Sequence, residues 1–179
     1  MLCFVMLMSL AGCFHYVARY DDTYRGKVVN AETGEPIEGV VVLGVWYTEI
    51  GTVAGPKHHY YDATETVTDK NGEFEIHGKG LRLFSNLEPV YITVFKAGYN
   101  ESGLTWKPEK EGDYIYHPDI KWKDNRPTIP LKKLTMEERK RRGTPSRHSS
   151  VPIEKMKLLT EEINKERIYQ GLKPFPNER

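Results

Sequence analysis

Between Tyr24 and Leu131 the sequence is a succession of short apolar runs, each closed by turn-forming residues, a pattern that accommodates strands and leaves little room for helices. Tyr24-Arg25-Gly26-Lys27-Val28-Val29-Asn30 is followed by the polar cluster Glu32-Thr33-Gly34-Glu35-Pro36 and then by the apolar stretch Ile37 to Ile50. This reads as strand, turn, strand, with Gly34 supplying the positive φ of a tight turn and Pro36 fixing the entry to the next strand. Ala63 to Thr68 alternates with period two, Asp69-Lys70-Asn71-Gly72 turns the chain, and Phe74 and Ile76 resume the alternation with Glu73 and Glu75 facing water. The expectation is a second hairpin. Val90 to Phe95 is the next strand, stopping before Gly98, and Pro127 to Leu131 reads as a closing edge strand, where prolines cost no ladder hydrogen bond. Strands at this spacing, without helical patterns between them, imply a mainly β fold, an antiparallel sandwich over about residues 22–134.

Composition narrows the function classes. A chain of 179 residues holds one ordinary domain with appendages, which excludes a large multidomain enzyme. Lys and Arg number 26 against 25 Asp and Glu, so the net charge of +1 provides no global field to gather phosphates, and nucleic acid is not an expected partner. The only cysteines are Cys3 and Cys13, so the body of the chain has no disulfide and no thiolate metal site.

Met1 to Phe14 carries no charged residue, but a spanning helix needs about 20 apolar residues, so the segment fits an export signal better than a membrane span. Leu10-Ala11-Gly12-Cys13 resembles the lipobox of bacterial lipoproteins. That resemblance implies that Cys13 is acylated and becomes the first mature residue, with membrane lipid as partner. The chemistry is consistent, because a thiol is the most nucleophilic side chain available to accept a diacylglyceryl group and several acyl chains anchor firmly.

Within the body, Gly26-Lys27-Val28-Val29-Asn30-Ala31, Thr33 to Val40, Thr68-Asp69-Lys70-Asn71-Gly72-Glu73-Phe74 and Lys96-Ala97-Gly98-Tyr99 resemble, in order, the successive signatures of the carboxypeptidase regulatory-like family. The resemblance implies a prealbumin-like, transthyretin-like β-sandwich of the kind used as an accessory module beside peptidases and in bacterial envelope proteins. The resulting division is a signal peptide at 1–12, an acylated cysteine and flexible link at 13–23, the sandwich at 24–134, and a helical extension at 135–179. Residues Gly51 to Tyr61 and Lys79 to Glu88 read as insertions, and Gly103 to Arg126 as a long aromatic-rich loop.

In the extension, Thr135 reads as an N-cap with Glu138 completing a capping box, and Gly143-Thr144-Pro145-Ser146 breaks the helix. Ser150 reads as the cap of a second helix from Val151 to Gln170. Its apolar face comprises Ile153, Met156, Leu159, Ile163, Ile168 and Leu172, Gly171 stops it, and the face suits docking on the sandwich or a partner.

No residue set marks a catalytic centre: there is no Gly-x-Ser-x-Gly elbow, and the mature chain keeps no free thiol. His58 and His59 invite a metal reading, but neighbours on a strand point to opposite faces, so no metal and no cofactor is expected. Asp69-Lys70-Asn71-Gly72 resembles the start of a calcium loop, yet position twelve would be Gly80, which has no carboxylate to give. The aromatic residues offer more. Trp46 and Tyr47 suit core packing, whereas Trp106, Tyr114, Tyr116 and Trp122 are candidate ligand contacts, since rigid rings stack on sugars and peptides. The basic residues Lys132, Lys133, Arg139, Lys140, Arg141, Arg142 and Arg147 read as a solvated helix face or a lipid-headgroup contact.

The leading expectation is therefore a non-enzymatic, lipid-anchored envelope protein on the periplasmic or extracellular side, binding or scaffolding an envelope protein or glycan. A second reading is a carbohydrate- or peptide-binding module using the aromatic loops. A third is a small-molecule hydrolase of prealbumin-like type, which needs His, Arg and Ser side chains converging in one pocket.

Overall fold

The computed structural model describes residues 18–53, 55–83, 86–106 and 119–176, so Cys13 and the signal segment, Tyr114 and Tyr116 lie outside the described residues. Ten strands occur among them: β1 (Ala18–Asp21), β2 (Tyr24–Asn30), β3 (Val41–Thr52), β4 (Gly55–Val67), β5 (Glu73–Ile76), β6 (Gly80–Leu83), β7 (Tyr91–Phe95), β8 (Ser102–Thr105), β9 (Lys121–Lys123) and β10 (Arg126–Leu131). Helices α1 (Met136–Arg142) and α2 (Lys157–Tyr169) follow, with a 3-10 turn at Ile153–Lys155 between them. One sheet has the order β5-β2-β10-β9, the other β4-β3-β7-β8, and β1 pairs with β6 in a separate ribbon. The fold is thus mainly β, a sandwich with a helical C-terminal extension. All strand pairs are antiparallel except β10 with β2, which is parallel.

The two sheets bury one core. Val28, Phe74, Ile76, Ile129 and Leu131 of the first meet Val42, Trp46, Ile92, Val94 and Leu104 of the second. Strand β3 explains its own unbroken apolar run: Val42 and Trp46 face this core, whereas Val41, Leu43 and Val45 face outward and are covered by Met156, Leu159 and Ile163 of the extension. A strand buried on both faces needs no polar alternation. The extension is therefore docked on the sandwich, although Ile168 and Leu172 remain exposed.

Several local expectations change. The turn at Gly34 (φ 73°) does fold the chain back, forming an isolated bridge between Val29 and Pro36, but β2 and β3 then belong to different sheets. Likewise β4 and β5 are not a hairpin. Asp69 Oδ1 accepts the Asn71 and Glu73 amides at 2.9 and 2.8 Å, which closes a tight turn at the point where the chain crosses between sheets. Gly72 (φ 72°) is required there, since a Cβ would collide with the Val28 carbonyl.

Strand β10 is internal rather than an edge. Pro127 lies in register with Trp122 of β9 but ahead of the β2 ladder, and Pro130 pairs with Val29 of β2 beyond the end of the β9 ladder. Leu131 directs its carbonyl to Ala31, on the β2 side, so by alternation Pro127 faces β2 before pairing starts and Pro130 faces β9 after it stops. Neither missing N–H is needed. The stretch expected as a flexible link also contains structure: Ala18–Asp21 is β1, and Asp21 is buried, accepting the Trp46 indole N–H at 2.9 Å, the Lys79 amide at 2.7 Å and the Tyr24 hydroxyl. The Gly51–Tyr61 insertion extends the β3–β4 hairpin, and Gly80–Leu83 is β6.

Candidate functional site

The capping box of α1 forms as expected, with the Glu138 amide donating to Thr135 Oγ1 at 3.3 Å and the Thr135 amide donating to Glu138 Oε2 at 2.9 Å. Gly143 (φ 74°) ends the helix. Ser150 does not cap α2. Pro152 and the 3-10 turn delay the helix to Lys157, and its first amides are capped by Glu65 of β4, which accepts from Leu158 and Leu159 at 2.9 and 2.7 Å. A carboxylate suits that end of the helix dipole. Burial nevertheless raises the Glu65 pKa.

Helix α2 is fixed at its other end by a buried ion pair. Glu166 accepts from Arg139 Nε at 2.8 Å and Nη2 at 2.5 Å, with the two side chains only 10% and 4% exposed for Arg139 and Glu166 respectively. Glu166 also accepts the Gly98 amide at 2.8 Å and Gln170 Nε2 at 2.7 Å, and Glu162 accepts the Ala97 amide at 3.0 Å. Two carboxylates one helical turn apart thus satisfy the backbone where β7 ends. Burial opposes the charge on Glu166, but the bonds from Arg139, Gln170 and Gly98 outweigh it and hold the carboxyl below its ordinary range.

With both helices in place, the connection between them stands off the sheet and leaves a cleft of about 650 Å³. Tyr47, Phe95 and Glu101 line its sheet side, and Arg142, Arg147 and His148 its extension side. His148 Nε2 lies 2.9 Å from Thr93 Oγ1, its ring meets the Tyr91 ring edge-on at 6.2 Å, and burial lowers its pKa, which favours the neutral imidazole. Ser150 Oγ bonds the Tyr47 hydroxyl at 2.9 Å. Burial raises the pKa of Glu101 despite the nearby Arg142. Arg147 packs its guanidinium 4.6 Å from the Phe175 ring, and its buried Nη1 has no hydrogen-bond partner among the described residues. A buried N–H without an acceptor is costly, so this guanidinium keeps unused hydrogen-bonding capacity beside the cleft.

The aromatic candidates divide. Trp106 is a core residue, 6% exposed, packed edge-on against Tyr24 at 5.0 Å and Trp122 at 5.1 Å, with its indole N–H donating to Asn125 Oδ1 at 3.3 Å. It presents no face for stacking on a ligand. Trp122 is half-buried against the same core. Trp46 is fully buried, as expected, whereas Tyr47 faces the cleft. The basic run is split: Arg139 is buried, Lys132 pairs with Glu138 at 2.8 Å, and Lys140, Arg141 and Arg142 are exposed.

A second cluster was not legible in the sequence. His58 and His59 do diverge, but Glu49 stands opposite His58 across the β3–β4 hairpin, and Glu88 approaches from the neighbouring segment. The ligand-type atoms of Glu49, His58 and Glu88 all lie within 4.8 Å of one another. The signal that finds them is strand register, since positions 49 and 58 pair only if the hairpin turns near Val53.

No helix among the described residues is long and apolar enough to cross a membrane. No protein-family model matches the chain, and no curated protein matches it. Among solved structures, the chain is similar to the crystal structure of group B streptococcus pilus 2b backbone protein, at 16% identity and TM-score 0.35 over 64% of this chain and 42% of that one. It is also similar to the structure of the Streptococcal ancillary pilin, at 12% identity and TM-score 0.34 over 64% of this chain and 30% of that one. The chain therefore spans less than half the length of either.

Proposed function

We propose that this chain is a lipid-anchored envelope protein, tethered through Cys13 on the periplasmic or extracellular side, whose sandwich and extension together bind a small ligand carrying an anionic group. The observation that carries the binding reading is Arg147, which lines the cleft and whose guanidinium is not fully hydrogen-bonded, its buried Nη1 having no partner among the described residues. Arg142 adds positive charge beside it, while Arg139 is already neutralised by Glu166. A carboxylate or phosphate seated there gains charge-assisted hydrogen bonds.

The surface next to the tether supports the anchoring reading. In the β1–β6 ribbon Tyr20 pairs with Leu81, and Leu83 lies two residues further along the same strand, so these three side chains share a face and are 69%, 64% and 59% exposed for Tyr20, Leu81 and Leu83 respectively. Ala18 follows Cys13 by so few residues that an extended chain spans about 17 Å at most. An acylated Cys13 would hold this apolar ribbon at the bilayer interface.

A small-molecule hydrolase is the second reading, favoured by the neutral His148 in a cleft also lined by Ser149 and Ser150. The hydroxyl that His148 touches, however, belongs to Thr93, which is 2% exposed, and Ser150 is engaged by Tyr47.

Two experiments test the proposal. Amide NMR titrations with inorganic phosphate and with glutarate are expected to give saturable shifts at residues 146–150, weakened at least tenfold by Arg147→Gln and unchanged by Arg126→Gln. Equal weakening by both variants, or no saturable shift, overturns the binding reading. Palmitate labelling in a bacterial host is expected for the wild type and not for Cys13→Ser, and absence of label in both overturns the anchor.

A further inference from the structure

We propose that Glu49, His58 and Glu88 form a binding site for one divalent transition-metal ion of the zinc class. The three donors come from three chain segments whose backbones are locked together. Glu49 and His58 are direct cross-strand partners, the Glu49 amide donates to the Asn86 carbonyl at 3.0 Å, and the Glu88 amide donates to the Tyr47 carbonyl at 2.9 Å. An isolated bridge between Thr48 and the buried Leu87 fixes the intervening position. Thr48 and Leu87 point inward, so their neighbours Glu49 and Glu88 are delivered to the outer face, where His58 also lies.

Glu49 and His58 are exposed and Glu88 is half-buried, and the cluster holds more acidic than basic groups. His58 Nδ1 bonds Glu88 Oε1 at 2.6 Å, but no hydrogen bond or ion pair reaches the Glu49 carboxylate among the described residues. Two carboxylates therefore face one imidazole. One nitrogen and two carboxylate oxygens suit zinc, whose protein ligands sit about 2.0–2.2 Å from the ion, and water would complete the coordination. Tetrahedral ligands at that distance are about 3.3 Å apart. The ion would therefore spread the His58–Glu88 contact by several tenths of an ångström and draw Glu49 inward.

Binding replaces a proton with the metal: His58 Nδ1 gives its proton to solvent and donates its lone pair to the ion. Zinc and proton therefore compete for the same nitrogen, as they do at any imidazole ligand. The bound ion would staple the β3–β4 hairpin to the segment carrying Leu87 and Glu88. The inference rests on neither the lipid anchor nor the cleft.

The test is calorimetric titration of zinc chloride into the full chain carrying Cys3→Ser and Cys13→Ser, so that no thiol competes, together with X-ray absorption of the zinc-loaded protein. One ion per chain is expected, with only nitrogen and oxygen neighbours, and His58→Gln and Glu49→Gln are each expected to weaken binding at least tenfold. His59→Gln, on the opposite face, is expected to leave it unchanged. No binding, an affinity indifferent to His58 and Glu49, or equal loss in His59→Gln overturns the proposal; the last two outcomes mean adventitious surface binding only.

Discussion

Replacing Glu166 by glutamine keeps the shape of the side chain and removes the charge that compensates Arg139. Both partners are nearly sealed from water, at 10% exposure for Arg139 and 4% for Glu166, and Glu166 additionally carries the Gly98 amide and Gln170. The variant leaves a buried guanidinium opposite a neutral amide, and breaking a buried pair on one side costs about 3–5 kcal/mol. That is a fall of roughly two to three and a half powers of ten in the folding equilibrium. Urea unfolding followed by tryptophan fluorescence and by far-ultraviolet circular dichroism reads the change, and coincidence of the two probes checks that extension and sandwich unfold together. The double variant Arg139→Met/Glu166→Met should recover at least half of the loss, because it removes the stranded charge. A cost below about 1 kcal/mol for Glu166→Gln would refute the reasoning, since that is the range of a solvent-screened surface pair. The sign with pH is also fixed. The Glu166 carboxyl is depressed in the fold, so its contribution is complete above the unfolded carboxyl pKa and is lost as pH falls through the depressed value.

Other perturbations separate the parts of the account. Glu65→Ala should cost about 1–2 kcal/mol by uncapping α2, measured as a urea midpoint shift, whereas Ser150→Ala should leave the helix start unchanged. Trp106→Ala should cost about 3–5 kcal/mol as a core truncation and Trp122→Ala distinctly less, and equal small effects would return Trp106 to the surface. Asp62 is held at about 2: partial burial opposes its charge, but hydrogen bonds from Lys79 and Lys155 prevail. Its share of stability is therefore present above about pH 4 and lost toward pH 2, and Asp62→Asn should flatten that part of an acid-unfolding curve. The His148 pKa is lowered by burial, so its neutral form is retained until pH falls through that depressed value, where protonation should weaken the packing around it, visible as broadening of cleft amides in NMR spectra.

Local chemistry was legible in the sequence because it is written in neighbouring residues. Alternation marked β5, turn residues marked Gly34 and Asp69–Gly72, and the Thr135–Glu138 spacing marked the capping box. The same turns could not say which sheet the next strand would join, so two apparent hairpins became crossings of the sandwich. Non-local partners were invisible for the same reason: the cap of α2 comes from Glu65, distant in sequence, and Arg139 looked like one residue of a solvated basic run until Glu166 was placed against it. One further signal was present in the strand itself. The unbroken run Val40 to Tyr47 implies burial on both faces, which already requires the extension or a partner to cover Val41, Leu43 and Val45. Around the cleft, Glu101, Arg147 and His148 belong to no motif, and only the docked extension makes them neighbours.

The binding reading stands on that docking, because the cleft has no second wall without it. Amide hydrogen exchange on the full chain measures it directly. Residues 161–169 of α2 are predicted to exchange only through global unfolding, with protection within about tenfold of Val41–Val45 in β3. Exchange of α2 at unprotected rates while β3 and β7 stay protected would contradict the account.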